Sequence, residues 1–319
     1  MSKVKELFSF LWRHKFKALV TLFSFLVFGF LLFPIDDLGD LVSVQVSKNT
    51  NPPVYLQFDH LNFSLLDFGI SFGNILVETP LTPSLTADEL TLSPSLMSLI
   101  RQKPGGSVSA KGFLNGEIDV SLSPSGKTET GTDKHAIVIK AQSISVEKLR
   151  DVLQLPILMK GKLNVLSNAS ADFTFKEQPD IEMEVKIDQL ELPPSNVQTA
   201  FGPLTLPELK LSQVLLKGRL SAGKFLITEG TLGKETDELF GSIKGDMDLA
   251  LKRDENGIAP ILGAYNFMID LNAKKSFQDK AGLFLGFLDT YKTLNGDKAR
   301  FQFKMSGTNF QSPNLGPAR

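Results

Sequence analysis

Cysteine is absent from this chain of 319 residues. No disulfide can therefore form, and the sequence excludes both thiol chemistry and a cysteine-ligated metal site. A fold without disulfides must be stabilised by ordinary burial, and the chain is long enough to build a real core. If the chain is exported, this composition fits a bacterial envelope protein that faces the periplasm better than a small secreted scaffold.

Histidine is scarce as well, with only His14, His60 and His135. Their spacing matches no metal-binding or catalytic motif, and we interpret His60 and His135 as structural. The sequence also lacks a phosphate-binding Gly-x-x-x-x-Gly-Lys-Ser/Thr loop and a Gly-x-Ser-x-Gly nucleophile elbow. Acidic pairs such as Asp88-Glu89 are typical of solvated strand faces, although two carboxylates from distant strands remain an open alternative. We predict no catalytic, cofactor-binding or metal-binding residues, no cofactor and no enzymatic activity.

An excess of positive charge is missing too, because 34 basic residues stand against 35 acidic ones. Residues 1–17 carry five basic and one acidic side chain, so the rest of the chain carries −5, which is the total of −1 less +4. Nucleic-acid binding requires a basic face. The charge balance therefore argues against a nucleic-acid partner.

One long apolar run is present, and it contains no Asp, Glu, Lys or Arg from residue 18 to residue 35. A helix of about 20 such residues rises about 30 Å, which is enough to cross the hydrocarbon core of a bilayer. Phe25 lies near its centre, and Phe33 and Pro34 end it. A cleaved signal peptide is the alternative, but no Ala-x-Ala-like cleavage site follows the run.

The flanks of this run predict its orientation. Arg13, Lys15 and Lys17 precede it, and Asp36 begins an acidic stretch after it. Basic residues stay on the cytoplasmic side, and Trp12 occupies the place of an interfacial aromatic residue. We predict a cytoplasmic tail at 1–17, a single-pass inner-membrane anchor at 18–35 and a periplasmic remainder.

Period-two alternation of apolar and polar residues dominates the remainder. In the segment 181–188, Ile181, Met183, Val185 and Ile187 alternate with charged residues. This pattern is typical of a half-buried antiparallel strand. Similar segments recur, so we expect a mainly β protein with large curved antiparallel sheets and a few peripheral helices. Helices are predicted at 145–154, with Ser145 as N-cap, at about 276–293, and more weakly at 94–100.

A sequence repeat matches residues 112–122 with residues 241–251, and 69–77 is a weaker third copy. Both main copies share a Gly-x-x-x-Gly-acidic-x-Asp pattern, and chance similarity of two hairpins is the alternative. Glycine within a strand permits a bulge, a bend or close backbone approach. We predict strand bends at the paired glycines of the two copies, namely Gly112, Gly116, Gly241 and Gly245.

Two loops are predicted to divide the exported part. The segment 192–198 has two prolines, and we place there a boundary between a first β unit at 36–192 and a second at 193–319. The polar segment 124–133 is interpreted as a mobile linker.

Tyrosine and tryptophan are few, with 3 and 1 against 25 phenylalanines. Phenylalanine supplies apolar area without the polar group that binding pockets often use. Core packing is one explanation for these residues. A hydrophobic groove for acyl chains and a strand edge for another envelope protein are the others, and Phe301 and Phe303 are the residues that we assign to a groove or to a core.

The layout as a whole resembles the type II secretion system protein N family, in the form found in deltaproteobacteria and spirochaetes. The resemblance depends on the basic tail, the anchor ending at Phe33-Pro34, the segment 61–69, the repeated glycine pattern and the closing segment 301–313. It implies a single-pass inner-membrane subunit or accessory of a protein secretion system. The layout also resembles AsmA-like envelope proteins, which are generally much longer and whose β-sheets shelter lipid.

We therefore expect a non-enzymatic component of a type II secretion system that contacts other secretion-system envelope proteins. The alternative is an AsmA-like lipid-binding or lipid-transfer protein of the Gram-negative envelope, with phospholipid as its ligand. A continuous apolar trough along one side of the sheet would favour this alternative.

Overall fold

The computed structural model describes residues 16–17, 20–21, 24, 43–48, 50, 53–64, 69–80, 83–128, 130–199, 202–254, 257–310 and 313–318. Over these residues the protein is mainly β, as predicted. The strands are β1 Tyr55–Gln57, β2 His60–Ser64, β3 Gly69–Glu78, β4 Leu85–Pro94, β5 Gly106–Phe113, β6 Gly116–Lys127, β7 Asp133–Ser145, β8 Lys160–Asp172, β9 Asp180–Leu192, β10 Ser195–Thr199, β11 Gly202–Leu206, β12 Leu209–Ser221, β13 Lys224–Leu232, β14 Leu239–Asp254, β15 Gly257–Lys274, β16 Lys292–Asn295, β17 Lys298–Gly307 and β18 Asn314–Pro317.

Sixteen of the described strands form one antiparallel sheet. Its order is β1-β3-β4-β5-β6-β7-β8-β9-β12-β13-β14-β15-β17-β16, with β2 also paired to β3 and β18 also paired to β17. Strands β10 and β11 form a separate two-stranded sheet. Most neighbours in the large sheet are consecutive in sequence, because antiparallel strands need only short connections. The prediction of a large antiparallel sheet is confirmed.

The described helices are short: α1 Leu96–Ile100, α2 Val146–Leu153, α3 Lys275–Lys280, α4 Gly282–Gly286 and a 3₁₀ turn at Asp289–Tyr291. Residues 43–48 are also helical. The helix predicted at 145–154 is confirmed as α2, and Ser145 is its N-cap because its hydroxyl accepts the Lys148 N–H at 3.4 Å. The helix predicted at 94–100 is confirmed as α1.

The single helix predicted at 276–293 is wrong, because that segment divides into α3, α4 and the 3₁₀ turn. Ala281 leaves helical geometry with φ −109° and ψ 16° and separates α3 from α4. Gly282 and Gly286 begin and end α4. Each glycine costs a helix about 1 kcal/mol relative to alanine, and this cost favours a break in the segment.

The predicted anchor lies almost entirely outside the described residues. Within 18–35 only Val20, Thr21 and Ser24 are described, and each is helical. Lys17 is helical and exposed. Outside the described residues lie the other predicted residues of the anchor and its flanks, namely Trp12, Arg13, Lys15, Phe25, Phe33 and Pro34. Among the residues that are described, no helix combines the length and the apolar character needed to span a bilayer.

The large sheet continues through the predicted boundary at 192/193. Strand β9 ends at Leu192, the β10–β11 hairpin follows, and β12 then returns to pair with β9 from Leu209↔Leu192 to Leu220↔Ile181. The same sheet thus contains strands from both sides of the boundary. A division into units at 36–192 and 193–319 stays a prediction.

The segment 124–133 is not a linker between separate parts of the fold. It forms the end of the β6–β7 hairpin, where pairing continues to Lys127↔Asp133. The Thr128 N–H donates to the Thr132 carbonyl at 2.8 Å across the tip. Polar residues are favoured in this segment because the hairpin tip reaches solvent.

The two copies of the glycine repeat occupy different places in the fold. In the first copy Gly112 ends β5 and Gly116 begins β6, whereas Gly241 and Gly245 both lie inside β14. Gly112 has φ +74° and is the extra residue of a β-bulge. It lies between the paired residues Lys111↔Glu117 and Phe113↔Gly116. The first copy therefore spans a hairpin turn and the second lies within a single strand, so the two copies adopt different structures.

The other three glycines allow close backbone approach. A Cβ atom would lie 2.4 Å from the Gln142 carbonyl oxygen at Gly116, 2.2 Å from that of Asp270 at Gly241, and 2.0 Å from that of Asn266 at Gly245. Real Cβ atoms do not reach such distances, so a side chain at these positions would separate the strands.

Candidate functional site

One face of the large sheet is apolar across nearly its whole width. Directly paired residues on antiparallel strands point to the same side, so the strand registers define rows that cross the sheet. One row consists of Phe63, Ile70, Leu92, Val108, Val120, Ile139, Ser167, Met183, Gly218, Ile227, Gly245, Phe267 and Met305. Ser167 is its only polar member.

A second row on the same side lies two residues along each strand. It consists of Leu61, Phe72, Leu90, Ala110, Ile118, Ala141, Val165, Val185, Leu216 and Gly230. None of these residues has a polar side chain. We call the side that carries both rows the apolar face.

The opposite side is polar. The row between the two apolar rows consists of Asn62, Ser71, Thr91, Ser109, Asp119, Lys140, Leu166, Glu184, Lys217 and Glu229. We call this side the polar face. The alternation seen in the sequence therefore separates an apolar from a polar face over the strands from β2 to β13 of the described sheet.

Ion pairs on the polar face link neighbouring strands. Lys217 Nζ lies 3.1 Å from Glu229 and 3.7 Å from Glu184, and Lys224 Nζ lies 2.8 Å from Asp246. The hydrogen bond to Glu229 and the charges of both carboxylates raise the pKa of Lys217. These side chains are largely exposed, so solvent screens each pair and its contribution to stability is small. Their main effect is to keep this face solvated.

The carboxylates that meet on the polar face do not form an enclosed acid–base site. Glu184 and Glu229 come from distant strands, but they are 42% and 48% exposed and both face Lys217. A general acid usually needs a pocket that shifts its pKa. Among the described residues, no group of three or more His, Asp or Glu side chains is placed to hold a metal ion.

The apolar face is not equally covered along the sheet. Strands β12 to β15 bury Leu220, Phe225, Ile227 and Phe267 to 2–8% exposure in one cluster. On β5 and β7, in contrast, Val108 and Ile139 are 39% and 36% exposed. The apolar face is therefore closed near β12–β15 and open to solvent near β5–β7.

Irregular pairing of β13 with its neighbours accompanies the closed part. The register shifts on both sides of β13, once between Lys217 and Gly218 and once between Ile227 and Thr231. Extra residues in a strand bend it. This bending brings apolar residues of several strands together without a second layer of sheet.

Helices cover the apolar face at one end of its strands. Val146, Leu149 and Val152 of α2 pack with the sheet residues Ala141 and Ile144. Further along the sheet, α3 and α4 pack Phe277, Ala281 and Leu285 into another cluster. Phe301 and Phe303 lie in that second cluster at 0% and 5% exposure, so the structure places both in a buried core.

A buried polar residue, His135, lies on the same face at the opposite end of the strands. It is register partner to Pro124 and Ala171 and two residues from Ile137. Its side chain is 4% exposed and stacks on Phe173 with ring centroids 4.5 Å apart, and neither ring nitrogen has a hydrogen-bond partner among the described residues. His60 is exposed and covers Gly73. The two downstream histidines are thus far apart in the sheet, on β2 and β7.

Two cavities lie among charged residues rather than on the apolar face. One of about 560 Å³ is lined by Lys160, Glu191 and Lys210, which are register partners on β8, β9 and β12. The other, of about 410 Å³, is lined partly by Glu184, Lys217 and other polar-face residues. Neither cavity contains a histidine.

The alternation is visible in the sequence, but the open part of the apolar face is not. Val108 and Ile139 attract no attention in the sequence, because an alternating strand looks the same whether its apolar side is covered or not. The positions of α2, α3 and α4 and the register shifts at β13 together decide which residues remain open. No protein-family model, no curated protein and no solved structure matches this chain.

Proposed function

We propose that this chain is a non-enzymatic binding protein of the Gram-negative envelope that shelters the acyl chains of lipids on its apolar face. The observation that carries the proposal is the pair of apolar rows that cross the sheet while its opposite side is polar. Covering apolar area is worth about 25 cal/mol per Å², so the open part of these rows, near β5–β7, favours an apolar ligand. Acyl chains suit such rows because they need no hydrogen-bond partners.

The open part of the face gives the ligand a place to enter. Val108 and Ile139 are accessible, and the neighbouring rows continue without a charged side chain towards Val165 and Val185. Monomeric proteins rarely expose extended apolar surface without a function for it. The resemblance to AsmA-like envelope proteins points to the same ligand class.

Membership of a type II secretion system is the second proposal. It is supported by the basic tail at 1–17, the apolar run at 18–35 and the resemblance to the protein N family. Under this proposal the chain is an inner-membrane component whose partners are other secretion-system proteins. The two proposals differ in what covers the open part of the apolar face, lipid in the first and protein in the second.

A matched pair of substitutions tests the first proposal. Ile139→Asp places a carboxylate on the apolar face, whereas Leu166→Asp places one on the polar face at 42% exposure against 36% for Ile139. We expect phospholipid to copurify with the wild type and with Leu166→Asp, as measured by mass spectrometry of the purified proteins, and to be lost from Ile139→Asp. Absence of lipid from all three, together with copurifying secretion proteins, would favour the second proposal.

A further inference from the structure

The segment that contains α3 and α4 has a second apolar side that is mostly exposed in the described structure. Leu283 in α4 is 67% exposed, and Phe287 directly after α4 is 75% exposed. A Cβ atom added at Gly282 or Gly286 would have no neighbour within 4 Å, so both glycines also face open space. These four positions define what we call the α4 tip.

Core packing does not explain the α4 tip. The core is served by Phe277, Ala281 and Leu285, which are at most 9% exposed and pack against the sheet. Leu283 and Phe287 lie four residues apart, which places them together on one side of a helical turn. A helical segment with large apolar side chains in water costs free energy, and such exposure marks a contact surface.

The chemistry of the tip fits a lipid bilayer. From Ala281 to Leu288 the sequence is Ala-Gly-Leu-Phe-Leu-Gly-Phe-Leu, which has no side chain that forms a hydrogen bond. A protein interface carries about one hydrogen bond per 100–200 Å², whereas the acyl boundary of a bilayer accepts apolar side chains without any. The tip therefore has the apolar side chains that insert into a bilayer, and it lacks the hydrogen-bonding groups that would make contact with a protein specific.

The flanking charges neither favour nor oppose this contact. Residues 275–298 contain four lysines and three aspartates. Lys275 is exposed, while Lys280 pairs with Glu238 at 2.9 Å and Lys292 lies 3.8 Å from Asp289. With Glu238 included, four acidic side chains balance the four lysines. Insertion of the apolar side chains is therefore the main contribution.

We propose that the α4 tip inserts into the interfacial region of a lipid bilayer. Because α3 and α4 cover one end of the apolar face, insertion would bring that end of the sheet against the membrane. The contact goes beyond the proposed shelter for acyl chains and does not depend on it. It is also distinct from the predicted anchor at 18–35.

A single fluorescent label tests the contact in the full chain. The chain has no cysteine, so Phe287→Cys provides one labelling site for an environment-sensitive nitrobenzoxadiazole dye. Lys140→Cys provides the matched control, since Lys140 is exposed on the polar face. Both labelled proteins are reconstituted into vesicles of phosphatidylethanolamine and phosphatidylglycerol, with and without doxyl-labelled lipid.

We expect the emission from position 287 to shift to the blue and to be quenched by doxyl lipid at least about twofold, with neither change at position 140. Leu283→Ser should at least halve the quenching at 287, whereas Leu226→Ser, at a 49% exposed leucine of the polar face, should leave it unchanged. Equal, water-like emission at 287 and 140 would overturn the proposal. A blue shift at 287 without lipid quenching would also overturn it and would indicate contact with a second copy of the chain.

The label also separates this contact from the shelter for acyl chains. Loss of quenching at 287 while lipid still copurifies would overturn the membrane contact of the α4 tip and leave the shelter for acyl chains in place. Quenching at 287 without copurifying lipid would retain the contact and count against the shelter.

Discussion

At the scale of single residues, the stability of this protein depends on which side of the sheet a side chain occupies and how that side is covered. Phe301 and Phe287 illustrate the difference, since one is 0% and the other 75% exposed. Residue type alone does not distinguish them. Their surroundings do, and two substitutions measure this.

Phe301→Ala should destabilise the protein by about 3–5 kcal/mol, because it leaves a cavity in a core that cannot fully collapse. Phe287→Ala is the matched control and should change the free energy of unfolding by no more than about 0.5 kcal/mol. Thermal unfolding of the purified variants gives both values. A loss below about 1 kcal/mol for Phe301→Ala would mean that Phe301 lines an open space rather than a core.

His135→Phe should stabilise the protein by about 1 kcal/mol. The imidazole is 4% exposed with two unpartnered nitrogens, and a phenyl ring of similar shape keeps the stacking on Phe173 while it removes the buried polar atoms. Leaving a buried donor or acceptor unsatisfied costs about 1–3 kcal/mol. Chemical denaturation compares the variant with the wild type and with His60→Phe, an exposed control. Destabilisation by His135→Phe would mean that a polar group or a bound water contacts the ring.

At the scale of elements, the alternation of apolar and polar residues predicted the strands well because its period follows directly from strand geometry. The cap of α2 was equally readable, since Ser145 precedes an amphipathic segment and Pro156 follows it. The glycine repeat could not be interpreted from sequence. A hairpin turn at Leu114-Asn115, where both residues have positive φ, separates Gly112 from Gly116, and Leu114 is buried there despite its unfavourable conformation.

Ser145→Ala tests the importance of that cap. The Ser145 hydroxyl accepts a backbone N–H at the start of α2, and loss of such a cap costs about 1 kcal/mol. We expect the free energy of unfolding to decrease by this amount, as measured by thermal unfolding. Ser145→Asp should retain most of the stability, because a carboxylate can accept the same N–H. Equal losses from alanine and aspartate would show that Ser145 acts through packing and not through its hydroxyl.

At the scale of the whole molecule, one antiparallel sheet presents an apolar and a polar side, and helices cover only part of the apolar one. The sequence indicated both sides but not that one sheet would continue through the predicted boundary at 192/193. Register depends on which strands meet, and loop composition does not specify that. The candidate site follows from this arrangement, because it is the part of the apolar face near β5–β7 that neither a described helix nor the packed strands β12–β15 cover.

Photocrosslinking from two adjacent residues of β7 tests whether lipid covers the apolar face. Benzoylphenylalanine at Ile139 faces the apolar side, and at Lys140 it faces the polar side, while both positions are exposed. After irradiation in intact cells, mass spectrometry identifies what is attached. We expect lipid adducts at 139 and none at 140. Protein adducts at 139, or equal lipid labelling at the two positions, would contradict this expectation.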